Sequence, residues 1–158
     1  MRRPLLAAIA GSALFLLAGC AGGPPQVTFA VAGESVEAGP TQYCEDDFVT
    51  CQNFPENPVD LPVPPGTALE ITVPEQISST PWQIVFTYRD AGGAQQDERT
   101  TVFGPGEQQT YSLELPDPAA RLLTAQVQQY GPPPQLNQST GEVEFPIRSS
   151  WVFLNAGE

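Results

Sequence analysis

Apolar and polar residues in this chain alternate in twos, the period of a half-buried strand, and no long stretch follows the helical period. The pattern is clearest at residues 82–89. Trp82, Ile84, Phe86 and Tyr88 fall on one face there, and the spacing predicts the central strand of the core. The same alternation predicts strands at 27–32 (Val27, Phe29, Val31), 68–73, 110–115 (Tyr111, Leu113, Leu115) and 122–130 (Ala125, Val127, Gln129). Shorter extended pieces are expected between Gly33 and Gly39, at 142–145 and at 151–154. Residues 59–63 are extended but contain Pro62, which cannot donate to a ladder and so suits an edge strand or a strand end. After the turn signal Asp90-Ala91-Gly92-Gly93, residues 99–103 are expected to return as the hairpin partner of 82–89. Residues 118–121 can form one helical turn, and 132–141 read as a polar loop.

Eight or nine short strands separated by Gly/Pro turns predict an all-β fold, an immunoglobulin-like antiparallel β-sandwich. The 18 prolines agree with it, because they punctuate turns and blunt sheet edges.

One apolar stretch does not alternate. Residues 5–18 follow Arg2 and Arg3 and lead into Leu17-Ala18-Gly19-Cys20, which looks like a bacterial lipobox. The run is shorter than the ~20 residues a spanning helix needs, and its outline is that of a secretory signal. The expectation is removal of residues 1–19 and lipidation of Cys20. Residues 20–26 would then be a tether, and 27–158 a β domain on the outer face of the cell membrane. A single acyl chain holds a protein marginally, whereas a diacylglyceryl group anchors it stably.

Charge narrows the partners. All 18 acidic residues lie beyond residue 19, against Arg89, Arg99, Arg121 and Arg148, so the mature charge is 4 − 18 = −14. Such a chain lacks the cations that nucleic-acid binding uses to displace counterions, and anionic head groups repel it. The lipid must do the anchoring.

The three cysteines are resolved by the same reading. With Cys20 lipidated, Cys44 and Cys51 form one disulfide in an oxidising compartment. The competing two-thiol metal site would need carboxylates for its remaining ligands.

Chemistry is scarce. With no histidine and no lysine, the chain cannot build a Ser-His-Asp, Cys-His or Ser-Lys arrangement or a Schiff base. Carboxylates remain. Glu45, Asp46 and Asp47 sit between the two cysteines as a candidate tip for a partner or a cation, although the spacing is unlike an EF-hand and predicts no metal site. Asp97-Glu98 and Glu142/Glu144 are formal candidates for an acid/base pair, but neighbouring acids on strands ordinarily face solvent. The aromatics read as core. Arg148, between Phe145 and Trp151, reads as an inter-strand ion pair or as an anchor for an anionic group.

Gly39-Pro40-Thr41-Gln42-Tyr43-Cys44, Pro81-Trp82, Val127-Gln128-Gln129 and Phe145-Pro146-Ile147-Arg148-Ser149-Ser150-Trp151 together resemble a family of small actinobacterial envelope lipoproteins whose domain has no known function. The resemblance covers roughly residues 27–154. It implies an actinobacterial envelope and a single β domain, and it brings no catalytic residues. The functional expectation is a membrane-anchored, non-enzymatic lipoprotein without a cofactor that binds another envelope protein. The alternative is a carrier or sensor holding a small or lipidic ligand between the sheets, which an apolar cavity there would favour.

Overall fold

The computed structural model describes residues 23–157 except 46, 48, 49, 132–134, 137, 140 and 142. Cys20 and the signal-like segment therefore lie outside the described residues, as does Asp46.

Thirteen strands and one helical turn appear among the described residues, against the eight or nine strands expected. In order they are β1 Val27–Val31, β2 Glu34–Ala38, β3 Gln42–Cys44, β4 Cys51–Asn53, β5 Val59–Leu61, β6 Leu69–Thr72 and α1 Glu75–Ser78. There follow β7 Trp82–Arg89, β8 Gln95–Arg99, β9 Thr110–Leu113, β10 Arg121–Tyr130, β11 Gln135–Leu136, β12 Val143–Glu144 and β13 Ile147–Asn155. The surplus consists of pieces of two or three residues, too short for periodicity to register.

Two sheets form a sandwich. One runs β2-β1-β6-β9; the other runs β4-β3-β13-β10-β7-β8, with β5 also on β13, and β11-β12 is a separate small hairpin. All pairs are antiparallel except β5 with β13, which is parallel. Pro62 ends β5, as expected of an edge piece.

The hairpin after β7 differs from the sequence expectation. Its partner is β8, at 95–99, and Arg99 is the last residue of the ladder, opposite Val85. Phe103 makes only an isolated bridge to Trp82. The string Gln95-Gln96-Asp97-Glu98-Arg99 has no apolar alternation because β8 is a largely exposed edge strand. Residues 117–120 form a single turn, Ala120 N–H donating to the Asp117 carbonyl, and β10 begins at Arg121. At the β1–β2 turn Ala32 and Gly33 both take positive φ, 50° and 94°, the requirement of a two-residue hairpin that matches strand twist.

The core is filled by the inward positions of both sheets. Phe29 meets Phe153 at 5.2 Å between ring centroids, joining β1 to β13. Trp82, Phe103 and Tyr111 form a second aromatic column between the sheets, with centroid separations of 4.6 and 5.5 Å. Two large buried polar side chains find partners, whereas the Ser149 hydroxyl is buried with none. The Trp82 indole donates to the Gln108 carbonyl, and buried Gln129 donates to the Gln76 carbonyl and the Thr80 hydroxyl.

The ends of the sandwich are distinct. Trp151 Nε1 donates to the carbonyl of Pro25, so the chain enters the domain against the middle of β13, on the Ile147 side of the Phe29–Phe153 contact. The end of β10 and the starts of β7, β9 and β13 lie at this same end, by the antiparallel registers. The opposite end carries the β1–β2 and β7–β8 turns and the close of β13. There Asn155 bonds the backbone of Val63 and Leu122.

Candidate functional site

The two features singled out in the sequence, the Cys44–Cys51 loop and Arg148, lie together. Cys44 and Cys51 are directly opposite in the β3–β4 ladder, with Cα atoms 4.0 Å apart, and are joined by a disulfide. β3 in turn pairs with β13, which brings Arg148 alongside: its Nε donates to the Cys44 carbonyl at 3.3 Å, and its guanidinium lies 6.0 Å from the centre of the Tyr43 ring. These contacts build Arg148 into the edge.

Asp47 is likewise engaged by its own loop. Its Oδ1 accepts from the Thr50 N–H at 2.9 Å and its Oδ2 from the Thr50 hydroxyl at 2.8 Å. The Glu45 N–H closes the loop on the Thr50 carbonyl. Glu45 is exposed. Among the described residues no three of His, Cys, Asp and Glu are grouped to hold a metal ion.

The other carboxylate candidates separate. Asp97 accepts from the Thr87 hydroxyl at 2.6 Å, and Glu98 accepts from the Tyr88 hydroxyl at 2.8 Å. Thr87 and Tyr88 are successive residues of β7 and face opposite sides of the sheet, so the two acids diverge. The bond to Glu98, then burial, then the charges of Glu98 and Asp90 raise the Tyr88 hydroxyl above its ordinary range. For Glu142/Glu144, Glu142 lies outside the described residues.

A feature the sequence reading passed over is the outer face of the larger sheet. Opposite the core positions, β7 places Gln83, Val85 and Thr87, β10 places Thr124, Gln126 and Gln128, and β13 places Ser150, Val152 and Leu154, in cross-strand register, with Gln83 and Ser150 themselves buried. None of these nine positions carries a charge, although the same face continues to Arg89 on β7 and to Asp97 and Arg99 on β8, while residues 20–158 carry a formal charge of −14. Gln83 donates to Gln128 at 3.5 Å, Gln128 donates to Gln126 at 3.2 Å, and the Tyr130 hydroxyl donates to Gln128 at 3.2 Å. Burial raises the Tyr130 hydroxyl, while Arg99 and Gln83 partly offset it. A depression of about 230 Å³ on this side is lined in part by Val85, Thr87, Asp97, Thr124 and Gln126. The sequence signal was available in the outward members of each alternation, which are amide, hydroxyl or aliphatic where a solvated acidic surface would have Asp and Glu.

A larger cavity, about 450 Å³, opens at the end away from Pro25, between residues 63–68 and 114–122, with Glu114 and Asp117 on its wall. It lies between loops at one end of the sandwich, whereas the interior between the sheets is filled by the aromatic contacts described above.

The architecture is an antiparallel β-sandwich with a disulfide-closed edge hairpin and an uncharged patch at the middle of its larger sheet. The chain belongs to the family described as "Protein of unknown function (DUF2771)", whose model matches residues 22–153. It is similar to uncharacterized proteins of Mycobacterium bovis (Mb0899c) and Mycobacterium tuberculosis (Rv0875c), each 30% identical over 127 residues covering 79% of this chain and 75% of the relative. No solved structure gives a significant match.

Proposed function

We propose that the protein is a lipid-anchored, non-enzymatic component of the cell envelope whose domain binds another envelope protein through the outer face of the β7–β10–β13 sheet. The observation that carries this reading is the uncharged register of Val85, Thr87, Thr124, Gln126, Gln128, Val152 and Leu154, at the middle of the sheet of a strongly acidic domain. Charged residues are depleted from the cores of protein interfaces, and a face made of amides, hydroxyls and aliphatic groups loses little on desolvation. Three features favour binding over catalysis: the chain has no histidine or lysine, Asp97 and Glu98 diverge, and the interior between the sheets is filled. Anchoring rests on Leu17-Ala18-Gly19-Cys20 behind an arginine-led apolar run.

The test is in-cell photo-crosslinking from position 126 in the full-length protein, followed by purification from membranes and mass analysis of Cys20. The expected result is a discrete crosslinked protein, lost in Val152→Glu while the domain stays folded, and a diacylglyceryl-type mass on Cys20. Crosslinking that ignores the Val152→Glu change would remove the face from the reading. An unmodified Cys20 would remove the anchor.

A further inference from the structure

Of the five large apolar side chains exposed among the described residues, four cluster toward the end where the chain enters the domain. Leu136 is 63% exposed, Phe145 42%, Val102 41% and Ile147 38%; the fifth, Leu154, lies toward the other end. Ile147 is the first residue of β13 and pairs with Tyr130, the last of β10. Phe145 sits two residues earlier with its ring 5.5 Å from that of Tyr130, and the Gly131 N–H fastens the adjoining Pro146 carbonyl. Leu136 lies on the β11–β12 hairpin, opposite Val143. Val102 precedes Phe103, which bridges to Trp82 at the start of β7.

The entry point fixes where this end stands. Phe29 lies against Phe153, and Pro25 is held by Trp151, so β1 descends beside β13 toward Ile147. Cys20 precedes Pro25 by five residues. Five residues of fully extended chain span at most about 18 Å. A lipid on Cys20 would therefore hold the Pro25 end within that distance of the bilayer surface, while the end carrying Asn155 points away.

We propose that this end of the sandwich makes a second contact with the membrane, in which Phe145, Ile147 and Leu136 enter the interfacial layer of a zwitterionic or neutral lipid surface. This rests on the lipid-anchor reading above. Aromatic and aliphatic side chains at the end of a tethered domain gain from leaving water for the head-group region, and Tyr130 beside them has the ring and hydroxyl that suit such a boundary. The mature charge of −14, with Glu45 and Asp47 at the neighbouring disulfide hairpin, selects against anionic head groups. The contact would hold the domain upright, with the face of Gln126 and Val152 turned sideways and the far cavity outward.

The experiment uses full-length lipidated protein reconstituted in vesicles of acyl-brominated phosphatidylcholine, with tryptophan introduced as Phe145→Trp, Leu136→Trp or Leu154→Trp. Trp82 and Trp151 are fully buried and give a constant background. Flotation reports the anchor; emission reports the contact. The expected result is a blue-shifted, bromine-quenched emission for Phe145→Trp and Leu136→Trp, and an unshifted, unquenched one for Leu154→Trp. Protein that floats with no quenching at 145 or 136 overturns the contact and leaves the anchor standing. Equal quenching at 154 means the domain lies on its side, which also overturns the proposal. Failure to float overturns the anchor reading and this proposal with it. Using two sites keeps the test decisive if Phe145→Trp disturbs the packing on Tyr130.

Discussion

The indole nitrogen of Trp151 donates to the carbonyl oxygen of Pro25 at 2.9 Å, across 126 residues of sequence. The bond satisfies a donor on a fully buried ring and fixes the direction in which the N-terminal segment leaves the domain. Trp151→Phe removes the donor and part of the ring. The expected cost is about 1–3 kcal/mol from the lost bond and the space left behind, read as a lower denaturant midpoint. Faster amide exchange at residues 26–28 should accompany it, and unchanged exchange there would mean the bond does not hold the entry segment.

Gln129 is a fully buried polar side chain, and its amide ties β10 to α1 through Gln76 and to the following turn through Thr80. Gln129→Leu keeps most of the volume but strips the Gln76 carbonyl of its donor. A loss of about 1–3 kcal/mol is expected, with Gln129→Glu costing more because a buried charge would face a carbonyl. Equal stability of the Leu variant in chemical denaturation would contradict this account.

For the Cys44–Cys51 pair, the chain-entropy estimate for so short a ring is about 2.5 kcal/mol. The hairpin it closes is at a sheet edge, so the double Cys44→Ala/Cys51→Ala variant should lose up to that amount while the β7–β10–β13 ladder keeps its exchange protection. Labelling the unfolded, unreduced protein should find neither thiol free.

Asp90 organises the β7–β8 turn. Its Oδ1 accepts from the N–H groups of Gly92 and Ala94, each at 2.9 Å, and its Oδ2 from the Gln96 amide at 3.0 Å. The Gln96 bond, then the backbone bonds, lower its carboxyl below the ordinary 3.8. The folded state therefore binds this proton more weakly than the unfolded chain. Stability from the carboxylate is present above 3.8 and is lost as pH falls through the lowered folded value. Acidification through that window should depress the melting temperature of wild type more than that of Asp90→Asn.

Sequence alternation located the strands that bury one face and missed those that bury none. β7 was readable to the residue because Trp82, Ile84, Phe86 and Tyr88 all point into the core. β8 was displaced in the reading because all five of its side chains are polar or charged and the strand hangs on β7 alone. Apolar Val102-Phe103, which suggested a strand, is irregular chain joined to the sheet by one bridge between Phe103 and Trp82. The candidate tip was legible from the cysteine spacing, but its nearness to Arg148 was not, since that depends on β3 pairing with a strand about a hundred residues later. The uncharged sheet face escaped notice because it is defined by cross-strand register, which a single run of residues does not contain.

β13 takes three partners, β3 and β5 from about a hundred residues earlier and β10 from the stretch just before it, with Asn155 then fastening Val63 and Leu122. Until residue 155 is available, β3 and β5 have no sheet to join, and β10 lacks one of its two neighbours. Assembly of the larger sheet therefore waits for the last strand to be made. Pairings of such long reach close slowly, and through that interval the β10 edge, with Ala125 and Val127 still uncovered, depends on being kept apart from other chains.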